Sequence, residues 1–220
     1  MNITTVCPPN LGWLNVDLDD LAVEHLWKCT EKPLGDYKPK LVGVIEDSQI
    51  IVDTDNWFFN NVLIECCEQY AKTFYNLGNF VPNNQAHPYY LESLWVNYQK
   101  QNQFNPRHMH FGVYSFVIWM KIPTEYEEQK KISIASKTIT EDTNALFGGS
   151  APSAISNFQF DYTNILGDQV NYIYDMSPSR NGTMVFFPSK LNHLVYPFYN
   201  CKEDRVSISG NICIDTTRVN

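Results

Sequence analysis

At 220 residues, with 44% hydrophobic and 14% aromatic side chains, the chain can bury one substantial core and is expected to form a single domain, 1–220. A net charge of -8 with no run of lysine or arginine argues against nucleic acid as its main partner. No apolar run reaches membrane-spanning length, and the stretch from Met1 to Pro9 has neither a basic residue nor an apolar core, so no membrane partner and a cytoplasmic location are expected.

In chain order, Asp17 to Trp27 predicts an amphipathic helix: Leu18, Leu21, Ala22 and Leu26 fall at helical spacing behind acids in the first turn. His25 lies beside that stripe and reads as a packing or surface histidine. Pro33, Gly35 and Pro39 mark a loop, after which Leu41 to Ile45 and Gln49 to Val52 predict two short strands around an Asp47-Ser48 turn. Asp55 is placed to cap a helix from Asn56 to Leu77, with Phe59, Val62, Leu63, Cys66, Tyr70 and Phe74 on one face and Gly78 to end it. Asn79 to Pro88, with His87, reads as loop and closes an N-terminal part of helices and short strands, 1–88.

The barrel core is expected over 89–220. Tyr90 to Gln99 predicts a strand in which Trp95, Asn97 and Gln99 share a face opposite Val96 and Tyr98. Next comes Asn105-Pro106-Arg107-His108-Met109-His110-Phe111-Gly112, holding two of the five histidines, at the mouth of a strand running on through Trp119. In extended chain, side chains at i and i+2 point to one side, so both imidazoles can meet one metal ion. A long loop follows at about 124–156, charged at Glu125 to Lys131 and small and flexible at Gly148 to Ser153. Such a loop is either a lid or disordered. Strands resume at Phe158 to Tyr162 and Val170 to Met176, and Pro178 to Gly182 turns into the strand Met184 to Ser189.

A third histidine, His193, stands just beyond that strand. The last strand, Arg205 to Ile212, sends Arg205, Ser207, Ser209 and Asn211 to one face. An arginine directed into a barrel points to an anionic ligand, because its planar fork pairs with a carboxylate and an unpaired buried guanidinium is costly. About eight short β-segments, with no phosphate loop and no helix-strand alternation, predict a mainly β fold, a double-stranded β-helix or jelly roll of the cupin type. The six cysteines contain no C-x-x-C pair and read as free thiols.

These residues carry a resemblance to the iron(II)- and 2-oxoglutarate-dependent oxygenases. That family shows a His-x-Asp/Glu pair, a distant third His, and an Arg or Lys about ten residues later followed at plus two by Ser or Thr. The chain is most similar to a prolyl-hydroxylase-like branch, common among phage-encoded proteins, in which the carboxylate is itself a histidine. The matching residues are Asn105, His108, His110, Ser115, Pro123, Gly182, Phe187-Pro188-Ser189, His193 and Arg205 through Asn211, a likeness spanning roughly Leu94 to Ile214.

The resemblance implies Fe(II) held by His108, His110 and His193. It implies 2-oxoglutarate as cosubstrate, its distal carboxylate on Arg205 and Ser207, with Asn97 or alternatively Tyr98 lining its pocket, and O2 as oxidant. Helices on the outside of the larger sheet and an apolar wall of Phe116, Ile118, Phe186 and Val195 would complete the site. The reaction implied is hydroxylation of a primary substrate that the residues do not name, with a prolyl or other protein residue among the candidates. A three-histidine cupin dioxygenase working without 2-oxoglutarate, and a non-catalytic structural or binding barrel, are the other classes these residues fit. Asp161 and Asp175 lack the spacing of a ligand, and Arg107 reads as a solvated ion-pair partner.

Overall fold

The computed structural model describes residues 3–5, 10–74, 77, 88–132 and 154–216. Two antiparallel sheets are built from eleven strands: β1 (Leu14–Asp17), β2 (Gly35–Asp36), β3 (Asp47–Ile50), β4 (Tyr89–Gln99), β5 (Asn105–His108), β6 (Tyr114–Lys121), β7 (Phe158–Thr163), β8 (Gln169–Tyr174), β9 (Thr183–Pro188), β10 (Asn192–Val195) and β11 (Arg205–Ile214). The larger sheet runs β1-β9-β6-β11-β4-β3-β2 and the smaller β5-β10-β7-β8. The mainly β jelly roll expected from the sequence is this pair of sheets.

Alternation along the strands divides the core in two. On β6, Phe116, Ile118 and Met120 face one side of the larger sheet, where Leu94, Val96, Phe186 and Ile208 join them against the helices. Val117 and Trp119 face the other way and meet Phe158, Phe160 and Tyr174 of the smaller sheet. Ring contacts of Trp119 with Phe158 at 5.6 Å and of Phe160 with Phe187 at 4.9 Å close the two sheets on each other.

The helices cover the outer face of the larger sheet. Helix α1 (Asp20–Thr30) starts where the Asp19 carboxylate accepts from the Ala22 N–H at 2.8 Å, and it buries Ala22, Leu26 and Cys29. The helix begins later than its stripe predicts. Leu14 to Asp17 instead pair with Phe186 to Thr183 of β9, and Leu21 is turned outward. The next helical stretch opens at Trp57, passes through a π-helical turn at Phe59–Leu63 and continues as α2 (Ile64–Thr73).

Asp55 does not cap that stretch. It is exposed with φ 57°, and buried Asp53 accepts from the Phe58 and Phe59 N–H groups at 2.9 and 2.8 Å. His25 packs as expected: it bonds the same Asp53 carboxylate at 2.7 Å and lies against the Trp57 ring.

Leu41 to Ile45 is not a strand. The edge of β4 that it would need is taken by Asp47–Ile50, which pairs with Tyr98 to Trp95, so the strand expected from Gln49 begins two residues earlier and takes in the Asp47-Ser48 pair expected to turn. The loop turns Ile45 inward instead, leaving it 4% exposed. Within the expected long loop, α3 (Tyr126–Lys130) forms a short helix. The remainder of that loop over 133–153, together with Cys7, Gly78 and His87, lies outside the described residues. The described cysteines are free, and among the described residues no helix is long and apolar enough to cross a membrane.

Candidate metal centre

His108 ends β5, and His193 lies directly opposite it on β10. Cross-strand partners stand about 5 Å apart at Cβ, so these two imidazoles meet through strand pairing, whatever their separation in sequence. His110 is not in the same strand as His108, contrary to the sequence expectation: after β5 the chain leaves the smaller sheet and crosses to β6 of the larger one. The crossing is pinned where the His110 N–H donates to the Ser189 carbonyl and Val113 N–H to the Ile212 carbonyl, both at 2.8 Å. Gly112 permits it. Its φ is 102°, and a Cβ there would stand 2.7 Å from the Ile212 carbonyl oxygen.

The three rings converge. His110 Nε2 and His193 Nε2 are 3.1 Å apart, the His108 and His193 ring centroids 4.2 Å apart, and the ligand atoms of all three lie within 4.8 Å of one another. Metal–nitrogen bonds of about 2.1 Å at right angles put two donors about 3 Å apart, so the set fits one ion. His108 Nδ1 faces the Pro106 carbonyl at 2.7 Å and His193 Nδ1 the Leu191 carbonyl at 3.0 Å. Donating there fixes the tautomer that leaves Nε2 free for a ligand bond.

Burial keeps the rings neutral. It lowers the pKa of His108 and brings that of His110 to about 3, with the His108 charge adding to the fall. His193 is held well below the usual range by burial and then by both neighbours. Among the described residues no carboxylate joins the cluster: Asp161 faces Arg107 at 3.6 Å and accepts from the Gln159 amide. Arg107 is thus the solvated ion-pair partner expected.

Beyond the histidines the cavity is lined on the larger-sheet side by Trp95, Asn97, Arg205, Ser207 and Ser209. Arg205 is 2% exposed. It donates from Nη2 to the Ser156 hydroxyl at 3.1 Å, and its guanidinium lies over the Phe198 ring, while Nε and Nη1 have no hydrogen-bond partner among the described residues. Burial pushes its pKa down to about 9. Such a group calls for an anion, and a carboxylate matches the two free donors. Glu203, two residues before Arg205, is paired with Lys121 at 2.8 Å. Asn97 accepts from the Ser48 hydroxyl at 2.7 Å through Oδ1, which leaves its amide N–H groups for the cavity.

Two sequence expectations are corrected. Tyr98 lies on the opposite face of β4, packed on the helix-side core, and does not line the cavity. Phe116, Ile118 and Phe186 belong to that same outer core because strand alternation turns them away, and the apolar wall is made by Val117, Trp119, Phe158 and Val195. Only Val195 of the expected wall stands there. The Ser156 and Phe198 contacts to Arg205 were not foreseen: Ser156 is 49 residues away in sequence, and Phe198 reaches the guanidinium through the course of the loop before β11.

A family profile described as "Putative 2OG-Fe(II) oxygenase" matches residues 93–211. No curated protein matches the chain. Among solved structures, an oxidoreductase of the 2OG-Fe(II) oxygenase family from Burkholderia pseudomallei superposes with TM-score 0.51 at 10% identity, covering 92% of this chain and 84% of that one. A prolyl-4-hydroxylase from Pseudomonas putida gives 0.44 at 17% identity, covering 91% of each chain. The viral collagen prolyl hydroxylase of Paramecium bursaria Chlorella virus-1 gives 0.45 at 12%, covering 91% and 94%. With the profile covering more than half of the sequence, across all three histidines and the buried arginine, the chain belongs to the 2OG-Fe(II) oxygenase family.

Proposed function

We propose that His108, His110 and His193 hold the iron(II) of this dioxygenase and that Arg205, with Ser207 and Asn97, holds the distal carboxylate end of 2-oxoglutarate. Family membership makes Fe(II) its cofactor and 2-oxoglutarate and O2 its cosubstrates. The observation that carries the residue assignment is Arg205, buried with Nε and Nη1 free, in the same cavity as the three imidazoles. It also disfavours a cupin dioxygenase lacking 2-oxoglutarate, in which that charge would have no counterion.

When bound, iron supplies the oxidative chemistry that couples decarboxylation of 2-oxoglutarate to hydroxylation of a C–H bond. The chain's own residues do the rest. Neutral imidazoles present lone pairs without first having to lose protons. Arg205 fixes one end of the cosubstrate and so sets where its other end lies. Val117, Trp119 and Phe158 exclude water from the reacting atoms. Met109 and Phe111, on either side of His110 in the chain, are 56% and 72% exposed and offer apolar surface to a peptide, which supports a prolyl or other protein residue as the hydroxylated group.

The test is anaerobic titration of the metal-free protein with iron(II) and then 2-oxoglutarate, following the visible charge-transfer band. Arg205→Ala is expected to keep iron and lose the band, and His193→Ala to lose iron. Undiminished iron binding in His193→Ala overturns the ligand set. For the substrate, proline-containing peptides are expected to gain one oxygen by mass spectrometry as succinate forms, and succinate formation with unmodified peptide argues against them.

A further inference from the structure

His110 differs from the other two imidazoles in how it is held. Each of those faces a backbone carbonyl two residues upstream through Nδ1. Among the described residues the His110 ring has no such bond, and its polar neighbour is His193 Nε2 itself. A ring without an anchor can rotate its lone pair away from an ion, and outer partners that prevent this raise metal affinity about 10–100-fold. Something else must hold it.

The side chain in place to do so is Trp95. Its ring centroid stands 5.6 Å from that of His110 at an interplanar angle of 51°, and it is 2% exposed. The backbone that carries Trp95 is fixed because β4 is paired on both sides there, with Ser209 of β11 and Ile50 of β3 opposite it. Tyr37 stacks on it at 4.9 Å and 23°, and the Tyr37 N–H donates to the Ser48 carbonyl of β3 at 2.7 Å. Trp95 is also the only apolar member of its strand face within the cavity, where Asn97 and Gln99 follow it. A polar residue would serve a ligand there, whereas an indole gives a broad rigid surface to a neighbouring ring.

We propose that Trp95, backed by Tyr37, is the positioning residue that aims His110 at the metal, in place of the hydrogen bond that holds His108 and His193. The proposal rests on the assignment of the three histidines as ligands. Its test uses cobalt(II) as a spectroscopic probe, titrated anaerobically into the metal-free full chain and into Trp95→Leu, Trp95→Phe, Tyr37→Leu and His110→Ala. Thermal unfolding of each metal-free form controls for folding.

Trp95→Leu is expected to raise the cobalt Kd tenfold or more and to move the visible cobalt spectrum toward that of His110→Ala. Trp95→Phe should recover most of both, and Tyr37→Leu should fall between. A folded Trp95→Leu with wild-type Kd and spectrum overturns the proposal. Should Trp95→Leu not fold, wild-type Kd and spectrum in Tyr37→Leu overturn it equally. A His110→Ala protein that binds cobalt as wild type does would instead remove the ligand assignment, and the proposal with it.

Discussion

Three imidazoles with depressed pKa values in one cluster make the metal-free protein sensitive to acid in a predictable direction. In the unfolded chain each takes up a proton near its ordinary value of about 6.5. In the folded chain burial and the neighbouring rings keep His110 neutral to about 3 and His193 neutral well below 6.5. Above pH 6.5 neither state is protonated and the cluster contributes nothing to the pH dependence. As pH falls below 6.5 the unfolded state binds protons that the folded state refuses, so stability is lost toward the folded pKa values, by at most about 1.4 kcal/mol per pH unit per histidine. Chemical denaturation of metal-free protein between pH 7 and 5 should show this loss, and His110→Gln should make it shallower. A slope unchanged in His110→Gln would mean that this ring is not held neutral. Metal bound to the folded state adds stability without removing this slope, so the loaded protein should unfold at a lower pH than the metal-free protein.

The elements that carry these residues differ in how far sequence reveals them. Helix α2 and the turn before it show the limit for capping. Asp55 stands in the expected position, yet Asp53 takes the two N–H groups and His25 as well. Asp53→Ala is therefore expected to cost about 1–2 kcal/mol for the cap, with a further loss for stranding His25, while Asp55→Ala, which removes no cap and leaves an alanine at positive φ, should cost less. Urea unfolding of the two variants decides it, and a larger loss in Asp55→Ala would refute the assignment.

Strands buried on both faces were legible, Tyr114–Lys121 as a continuous apolar run and Arg205–Ile214 from its alternation of polar and apolar residues. Short edge strands were less so: Leu14–Asp17 was not expected as a strand, and of Asp47–Ile50 only the part from Gln49 was, because both segments are rich in polar residues and are strands through their partners β9 and β4. Leu41 to Ile45 misled for the converse reason: Leu41 and Ile45 line the cavity from a loop that joins no strand, while Val42 and Val44 are exposed. The site divides in the same way. His108, His110, His193, Arg205 and Ser207 could be listed from their spacing, and Asn97 from the face it shares with Trp95. That His108 and His193 lie opposite each other on β5 and β10, and that Ser156 meets Arg205, depends on long-range packing that local sequence does not encode, while Phe198 reaches Arg205 through the course of the loop before β11.

Across the whole molecule the cavity is a seam between the two sheets. His108 and His193 belong to the smaller sheet, while Asn97, Arg205 and Ser207 belong to the larger one, and His110 sits on the crossing between them. On the proposed assignment a metal ion would fasten the smaller sheet to the crossing, and an anion on Arg205 that also reached the metal would fasten the larger sheet to both. Ligands that bind only the folded state stabilise it by about 2.7 kcal/mol at a hundred times Kd. Anaerobic thermal unfolding should accordingly show one rise in Tm with metal and a second with 2-oxoglutarate that requires the metal.

Arg205→Met separates the cosubstrate's contribution from the rest. It removes a buried charge with two unmet donors, and replacing buried charges with apolar groups of similar volume is often neutral or stabilising by about 1–4 kcal/mol. The ligand-free variant should melt no lower than wild type, keep the metal-dependent rise and lose the 2-oxoglutarate-dependent one. A ligand-free Arg205→Met that melts well below wild type would make Arg205 a structural strut, and a second rise retained in that variant would place the cosubstrate elsewhere.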